Sequence, residues 1–510
     1  MGNASHANEA TSGLTLLERR LDGKPLLLAA RLAYALGEVK RGRRRARTWL
    51  APPRTGQAGS PTPDQLVGLL SHALSVGAVE TAKQRSRVLY SQLSELHRSQ
   101  RTRAVQVLLD SLLASGDLDE AAQLAGQHVA ALRKTRRGVG TLEVLGLAPP
   151  AELFEEFPNL LGLSRRIASG ELTASQLAGI VGTLPRTWLR FPELNLLFVS
   201  ALWRSEPHRA ARFLSRFFAA CGLARVGCDA ALTKQNVLRS LRCSPVPVVA
   251  GGPLVSILVA ARNAASSVDY AVDSLLAQSY RNCEILVCDD ASDDDTLEVI
   301  LQRYGSDSRV RVFRSTQRQG AYNVRNALCA QVRGEFVTFH DADDLALPQR
   351  IALQVEQMRR RRLDGCVTSG LRISSDGQVV FFKDQQPVRL SMVSLMVTRA
   401  VLRSVGPFRS ARFGADQEFY ERLRLVPGVA VGRLSIPTIL SLWSQQSVTR
   451  SPGAESLEDG YRAPARRQYS ELVHRLGGSD PPNDDEMDRS LRAVGNYVDP
   501  KPVIAITDSV

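Results

Sequence analysis

Two aspartate-rich phrases hold the chemistry open to this chain. One is Asp289-Asp290-Ala291-Ser292-Asp293-Asp294-Asp295-Thr296, the other His340-Asp341-Ala342-Asp343-Asp344. In an extended segment residues i and i+2 face the same side, so Asp341 and Asp343 can aim two carboxylates at one point. That pattern suits magnesium or manganese, which take one or two protein carboxylates and fill their shell with phosphate oxygens and water. A cation so placed neutralises a diphosphate as it becomes a leaving group. A solvated surface loop can have the same composition, and an aspartate-based phosphotransferase can use such carboxylates too. The diphosphate reading is favoured by position, directly after a strongly apolar run and before a helix opened near Pro348.

The elements around these phrases alternate. Short β-rich runs occur at Val255-Ser256-Ile257-Leu258-Val259, Ile285-Leu286-Val287-Cys288, Val310-Arg311-Val312-Phe313 and Phe336-Val337-Thr338-Phe339. Helical patterns lie between them, over about 268–278, 296–304 and 321–332. Alternating strand and helix predicts a sheet with crossover helices, whose ligands bind beyond the carboxyl ends of the strands. Both aspartate phrases fall at such ends. A Pro/Gly-rich linker at 244–253 separates this region from what precedes it.

Residues 14–243 read as helices throughout. Gly37, Gly77 and Gly116 each follow an apolar helical run in a similar phrase, 40 and 39 residues apart, and Gly170 repeats the phrase out of register. Glycine suits a helix C′ position because it takes positive φ without a Cβ clash. The pattern predicts stacked helical hairpins similar to tetratricopeptide-like arrays, with an ordinary helical bundle as the alternative. The first half also carries the charge. Residues 1–250 hold 33 Lys+Arg against 19 Asp+Glu, and this excess equals the net charge of +14 for the whole chain. Six basic side chains crowd positions 40–47. Such a patch suits anionic lipid headgroups or another polyanion, or forms a solvated face. No helix-turn-helix, zinc-finger or RNP-type signature accompanies it, so nucleic acid is not the expected partner.

With these motifs in view, the segment resembles the family 2 glycosyltransferases. The first strand through Ala260-Ala261-Arg262-Asn263, the helix end Ser274 to Tyr280 and the 289–296 phrase match the family pattern. So do Gly320, Arg325-Asn326, Gly334-Glu335-Phe336, Asp341-Ala342-Asp343-Asp344, Gly406-Pro407-Phe408 and Gly414-Ala415-Asp416-Gln417-Glu418-Phe419. The resemblance covers about 190 residues. It implies a GT-A α/β fold over 254–450, with a Rossmann-like, mostly parallel sheet; the glycine pattern places an all-α helical-hairpin domain over 14–243 ahead of it. Residues 1–13 are expected to be a disordered start, and 451–510 a C-terminal helix and flexible tail.

The same resemblance implies roles. Asp290, with Asp289 beside it, would accept a hydrogen bond from the nucleotide base, and Ala260 to Arg262 would line the nucleoside pocket. Arg325 would lie by the phosphates or donor sugar as a fixed positive charge. Asp341 would serve the ribose and, with Asp343, hold Mn2+ or Mg2+. Asp416 would be the general base in a one-step, inverting displacement at the anomeric carbon, with Glu418 as the alternative base. Ala260 and Arg262 stand where the family usually has Pro and Tyr, and Ala415 where an acidic residue often stands. Leu442 to Thr449 lacks the His that often precedes Ser-x-Thr.

Together these readings predict transfer of a sugar from a nucleotide-diphosphate donor to a glycan or lipid-linked acceptor, in bacterial surface polysaccharide biosynthesis. Seven scattered cysteines without a CxxC pair, no apolar run of spanning length and a polar start predict a cytoplasmic protein, peripheral at the inner face of the membrane. The competing expectation is a helical-repeat protein that binds a protein partner and carries a degenerate transferase fold. A metal-dependent nucleotidyltransferase is disfavoured, because no Gly-rich, Arg/Lys-bearing loop follows the first strand.

Overall fold

The computed structural model describes residues 63–76, 79–147, 159–183, 191–229, 236–382, 385–443, 468–469, 471–473, 483–493 and 496–506. The basic cluster at 40–47, the glycines at 37 and 77 and the Ser-x-Thr phrase at 447–449 lie outside them. None of the helices described is long and apolar enough to cross a membrane.

A long sheet organises the second half. Its strands are β1 (Val255–Ala261), β2 (Cys283–Asp289), β3 (Val310–Ser315), β4 (Phe336–Asp341), β5 (Leu345–Ala346), β6 (Gly365–Ile373), β7 (Val388–Leu390), β8 (Met396–Thr398), β9 (Val431–Leu442) and β10 (Val503–Ala505). The spatial order is β10-β3-β2-β1-β4-β8-β6-β9-β5, with β7 beside β6. Strands β3, β2, β1 and β4 run parallel, and β9 runs parallel to β6. Strand β8 enters antiparallel between β4 and β6, and β10, β7 and β5 are also antiparallel to their neighbours. The sheet is therefore mixed, a correction to the expected mostly parallel one. The three residues of β8 reverse the chain direction without leaving a local periodic signal.

Strands β1 and β2 are buried on nearly every residue, as parallel strands covered on both faces must be. One face is covered by α10 (Val268–Leu276), α11 (Thr296–Tyr304) and α13 (Arg350–Arg361), through Val272, Leu275, Ile300, Tyr304, Ile351 and Met358. The other face carries α12 (Gly320–Cys329), α14 (Arg399–Val405), α15 (Ala415–Leu425) and α16 (Asp484–Ala493), through Val324, Leu328, Leu402, Phe419, Leu423 and Met487. Strand order reverses at β1: β2 and β3 lie on one side and β4 on the other. The crevice beyond the ends of β1 and β4 is the switch point where such sheets bind ligands.

The chain expected as a tail contributes to this core. Asn483 accepts from the Glu486 amide at 2.8 Å and starts α16, whose Met487 and Leu491 are fully buried one turn apart. Strand β10 then covers the free edge of β3.

Nine helices of eight or more residues are described ahead of β1: α1 (Pro63–Val76), α2 (Val79–Ser91), α3 (Arg98–Ser115), α4 (Leu118–Gln127), α5 (Arg136–Val144), α6 (Leu160–Ala168), α7 (Ala174–Thr183), α8 (Leu194–Leu202) and α9 (Pro207–Ala220). Gly116 turns α3 into α4 at φ 84°. Strands Val226–Cys228 and Leu241–Cys243 pair as a short antiparallel ribbon before the linker.

These helices share an apolar core with the sheet. Leu197, Leu202, Trp203, Leu214 and Phe217 cluster with Leu345, Leu347, Leu371, Ile373, Phe381 and Leu440. The turn 374–378 is gripped by α8: Gln378 Nε2 donates to the Ser200 carbonyl at 3.1 Å, the Val379 amide donates to Ser200 Oγ at 2.9 Å, and Arg204 pairs with Asp376. Gly377 holds φ 88°, and a Cβ there would sit 2.2–2.7 Å from Trp203 Cγ, Cβ and Cδ1. Gly377→Ala combines a left-handed backbone with overpacking against a rigid side chain. It is expected to cost about 2–4 kcal/mol of stability, read as a lowered Tm of the full chain.

Candidate functional site

Register places the aspartates. Ala260 lies opposite Asp341 across β1 and β4, and Ala261 lies opposite Asp289 across β1 and β2. Paired residues of a parallel ladder share a face and successive residues alternate. Asp341 therefore turns toward the α12 face, and Asp289 toward the opposite one.

The second aspartate phrase is a turn. Asp341 ends β4, and the Asp344 amide reaches back to the Asp341 carbonyl at 3.3 Å. Asp341 and Asp343 come together by chain reversal, not by the strand alternation expected from spacing. Burial first, and then the Asp341 charge, push the Asp343 carboxyl up to about 7. Asp344 is raised well above the usual carboxylate range by burial and then by both neighbours, even though Ser441 Oγ (2.8 Å) and the Leu442 amide (3.3 Å) donate to it. Beneath the turn, buried His340 shares Nδ1 with Arg350 at 3.1 Å and meets the Asp344 carbonyl through Nε2 at 3.1 Å. Burial and the Arg350 charge hold its pKa well below the ordinary value, so His340 is a neutral packing group. Arg350 is fully buried, donates to Thr338 and the Phe339 carbonyl, and is lowered to about 10 by desolvation.

The first aspartate phrase divides its work. Both Asp290 oxygens are taken by backbone amides at the start of α12, Gln319 N and Gly320 N, each at 2.8 Å. Burial raises its pKa and those two bonds oppose the rise. Asp289 is 1% exposed; its Oδ2 accepts from the Ser292 amide at 3.3 Å, while its buried Oδ1 has no hydrogen-bond partner. Arg262 donates to the Asp290 and Ala291 carbonyls at 3.0 and 2.5 Å and to Asp293 at 2.8 Å, stapling the β1 end to the β2 loop.

Helix α12, pinned at its first turn by Asp290, presents Tyr322 and Arg325 on one face, since residues i and i+3 are helical neighbours. Arg325 is 4% exposed and hydrogen-bonds Asp341 Oδ1, with its guanidinium 5.5 Å from the Tyr322 ring centroid and 5.8 Å from that of Phe339. Tyr322 donates to Asp416 Oδ1 at 2.9 Å. Asp416 occupies the first turn of α15, where the helix dipole favours a carboxylate, and the Gln417 amide reaches the same Oδ1 at 2.9 Å. A continuous path thus joins Asp341, Arg325, Tyr322 and Asp416. Glu418 is fully buried and paired with Arg422 at 2.8 Å, so it is committed to packing. Tyr322 was not singled out from sequence; the i,i+3 spacing to Arg325 was the signal that could have found it.

Among the described residues no group of three or more His, Cys, Asp or Glu side chains is placed to hold a metal ion. The donor set still fits a hard cation that takes two protein carboxylates. Asp343 is half-buried, repelled by Asp341 and paired with no basic side chain among the described residues. It holds a proton near neutrality that a cation can displace.

Residues 256–419 match the family model described as Glycosyl transferase family 2. Among curated relatives, the Chondroitin synthase of Pasteurella multocida (strain Pm70) is 33% identical over 129 residues, 25% of this chain and 13% of that protein. The Escherichia coli UDP-Glc:alpha-D-GlcNAc-diphosphoundecaprenol beta-1,3-glucosyltransferase WfgD is 34% identical over 110 residues, 22% of this chain and 43% of that protein. The chain therefore spans less than half the length of these relatives. The solved structure of S. aureus TarS 1-349 in complex with UDP-GlcNAc aligns over 47% of this chain and 71% of that one, at 20% identity and a TM-score of 0.35.

Proposed function

We propose that the chain is a glycosyltransferase moving a sugar from a nucleotide-diphosphate donor to a hydroxyl of a glycan or lipid-linked acceptor, with inversion. The observation that carries this reading is the path from the Asp341–Asp343 turn through Arg325 and Tyr322 to Asp416, at the switch point of a sheet whose segment matches family 2. Asp289, with its unpartnered buried oxygen, is assigned to an imide or amide N–H of the base. Asp290 fixes α12 from behind, and Ala260 leaves space beside Asp341.

Asp341 Oδ2 and Asp343 would hold Mn2+ or Mg2+, which neutralises charge on the departing diphosphate when bound. Arg325 holds Asp341 in place through Oδ1. The Tyr322 hydroxyl and the Gln417 amide both load Asp416 Oδ1, which leaves Oδ2 to take the acceptor proton as its oxygen attacks the anomeric carbon. One free carboxylate on the acceptor side, with Glu418 locked to Arg422, suits a single displacement. The relatives named for chondroitin and for a diphosphoundecaprenol-linked sugar favour surface polysaccharide as the product class, made at the inner face of the membrane.

The test is a donor screen of the full chain that measures nucleoside diphosphate release with and without Mn2+. One donor is expected to give metal-dependent release. Failure of every common UDP-, GDP- and dTDP-sugar with any glycan or polyprenyl acceptor would leave the helical-repeat reading in its place. Because Asp343 exchanges a proton for the cation, Mn2+ affinity measured with UDP present is expected to rise up to about tenfold per pH unit below 7 and to level off above it. A pH-independent affinity would place the ion elsewhere.

A further inference from the structure

The 341–344 turn gathers three carboxyl groups within four residues and is held from outside. Two anchors are described above: Ser441 and Leu442 on Asp344, and His340 on the Asp344 carbonyl. The third comes from α10, where Tyr270 donates its hydroxyl to the Asp343 carbonyl at 2.9 Å. Tyr270 is 7% exposed, and its ring belongs to the apolar cluster that contains Leu214, Val237, Leu238 and Leu345. Phenylalanine would fill that space equally well. The hydroxyl has one hydrogen to give, and it satisfies a carbonyl on the turn.

The chain ahead of the linker reaches this hydroxyl. Asn236 Nδ2 approaches Tyr270 Oη at 3.5 Å, and its Oδ1 accepts from the Leu238 amide at 2.8 Å. Arg239 donates to the Ser266 carbonyl at 2.8 Å and to Asp269 at 2.7 Å, with its guanidinium 6.0 Å from the Tyr270 ring centroid. These contacts fix the start of α10, and with it the direction of Tyr270.

We propose that Tyr270 is a positioning residue whose hydroxyl sets the aspartate turn, and that residues 236–239 seat it, so that the N-terminal part of the chain governs the geometry of the turn. The benefit to a metal–diphosphate rests on the transferase reading; the mechanical link does not.

The experiment uses the full chain and two measurements: hydrogen–deuterium exchange across residues 341–346, and Mn2+ binding by electron paramagnetic resonance with UDP present. In Tyr270→Phe, exchange at the turn is expected to rise about five- to tenfold and Mn2+ affinity to fall by a similar factor, as for one lost buried hydrogen bond. Exchange in β1 and β2 should stay at the wild-type level. Arg239→Ala should change the turn in the same direction by a smaller factor. Unchanged exchange at the turn in Tyr270→Phe, or equal acceleration throughout the molecule, overturns the proposal. Wild-type exchange at the turn in Arg239→Ala overturns the part assigned to residues 236–239. A wild-type chain that binds no Mn2+ with UDP defeats the transferase reading, while the exchange contrast still decides the role of Tyr270.

Discussion

Asp343→Ala is expected to lower kcat/KM for sugar transfer about 10³-fold, a loss of ~4 kcal/mol of transition-state stabilisation. The same variant should be more stable than wild type without ligand at pH 8. The sign follows from the pKa. Asp343 is raised to about 7 in the fold from an ordinary value of 3.8. A raised folded pKa means its contribution to stability is full below pH 3.8 and is lost as pH rises through 7. At pH 8 the ionised group carries that cost in full, and alanine removes it. Thermal melts of both proteins at pH 5 and pH 8, with UDP–Mn2+ turnover, check the pair of outcomes. A variant that keeps transfer, or whose Tm falls at pH 8, would remove Asp343 from the proposed site.

Asp416→Asn is expected to cut kcat by about 10²–10⁴-fold, the usual contribution of a positioned general base, with donor KM nearly unchanged. The amide keeps the shape and can still accept from Tyr322 at its carbonyl oxygen, but it cannot take a proton. Glu418→Gln supplies the contrast. Glu418 is fully buried against Arg422, so its loss should appear as lowered stability, about 3–5 kcal/mol for a broken buried pair, with kcat of the folded fraction retained. Full transfer by Asp416→Asn would move the base elsewhere.

Much of the sheet could be read in advance because β1 to β4 are buried on nearly every residue and appear as short β-rich runs between Gly, Asp and Asn punctuation. Helix α11 was read at its observed ends, 296–304, and α10 and α12 to within a few residues. The strands after β4 were not read. β8 and β10 have three residues each, and β9 is broken in register around Pro437; their pairing depends on partners far along the chain. Helix α16 did carry a local signal, Asn483 as cap and Met487 and Leu491 at i,i+4, masked by the acidic run 484–486 that separates the cap from Met487.

The site was legible as residue types and less so as geometry. Asp341, Asp343, Arg325 and Asp416 could be picked from motifs. That Tyr322 reaches Asp416 across 94 positions, or that Asp290 spends both oxygens on the start of α12, depends on how the sheet folds those segments together. Arg262 at the end of β1 ties the loop as a staple, a role that a stacking position would not suggest.

The apolar cluster shared by α8, α9 and the β6–β9 side of the sheet has a consequence for how the molecule comes apart. A chain cut at the linker would leave Leu371, Ile373, Val379, Phe381 and Leu440 without their cover and facing water. Loss of that shelter would make the severed sheet-bearing portion sticky, and heating the whole molecule should melt both halves in one cooperative step.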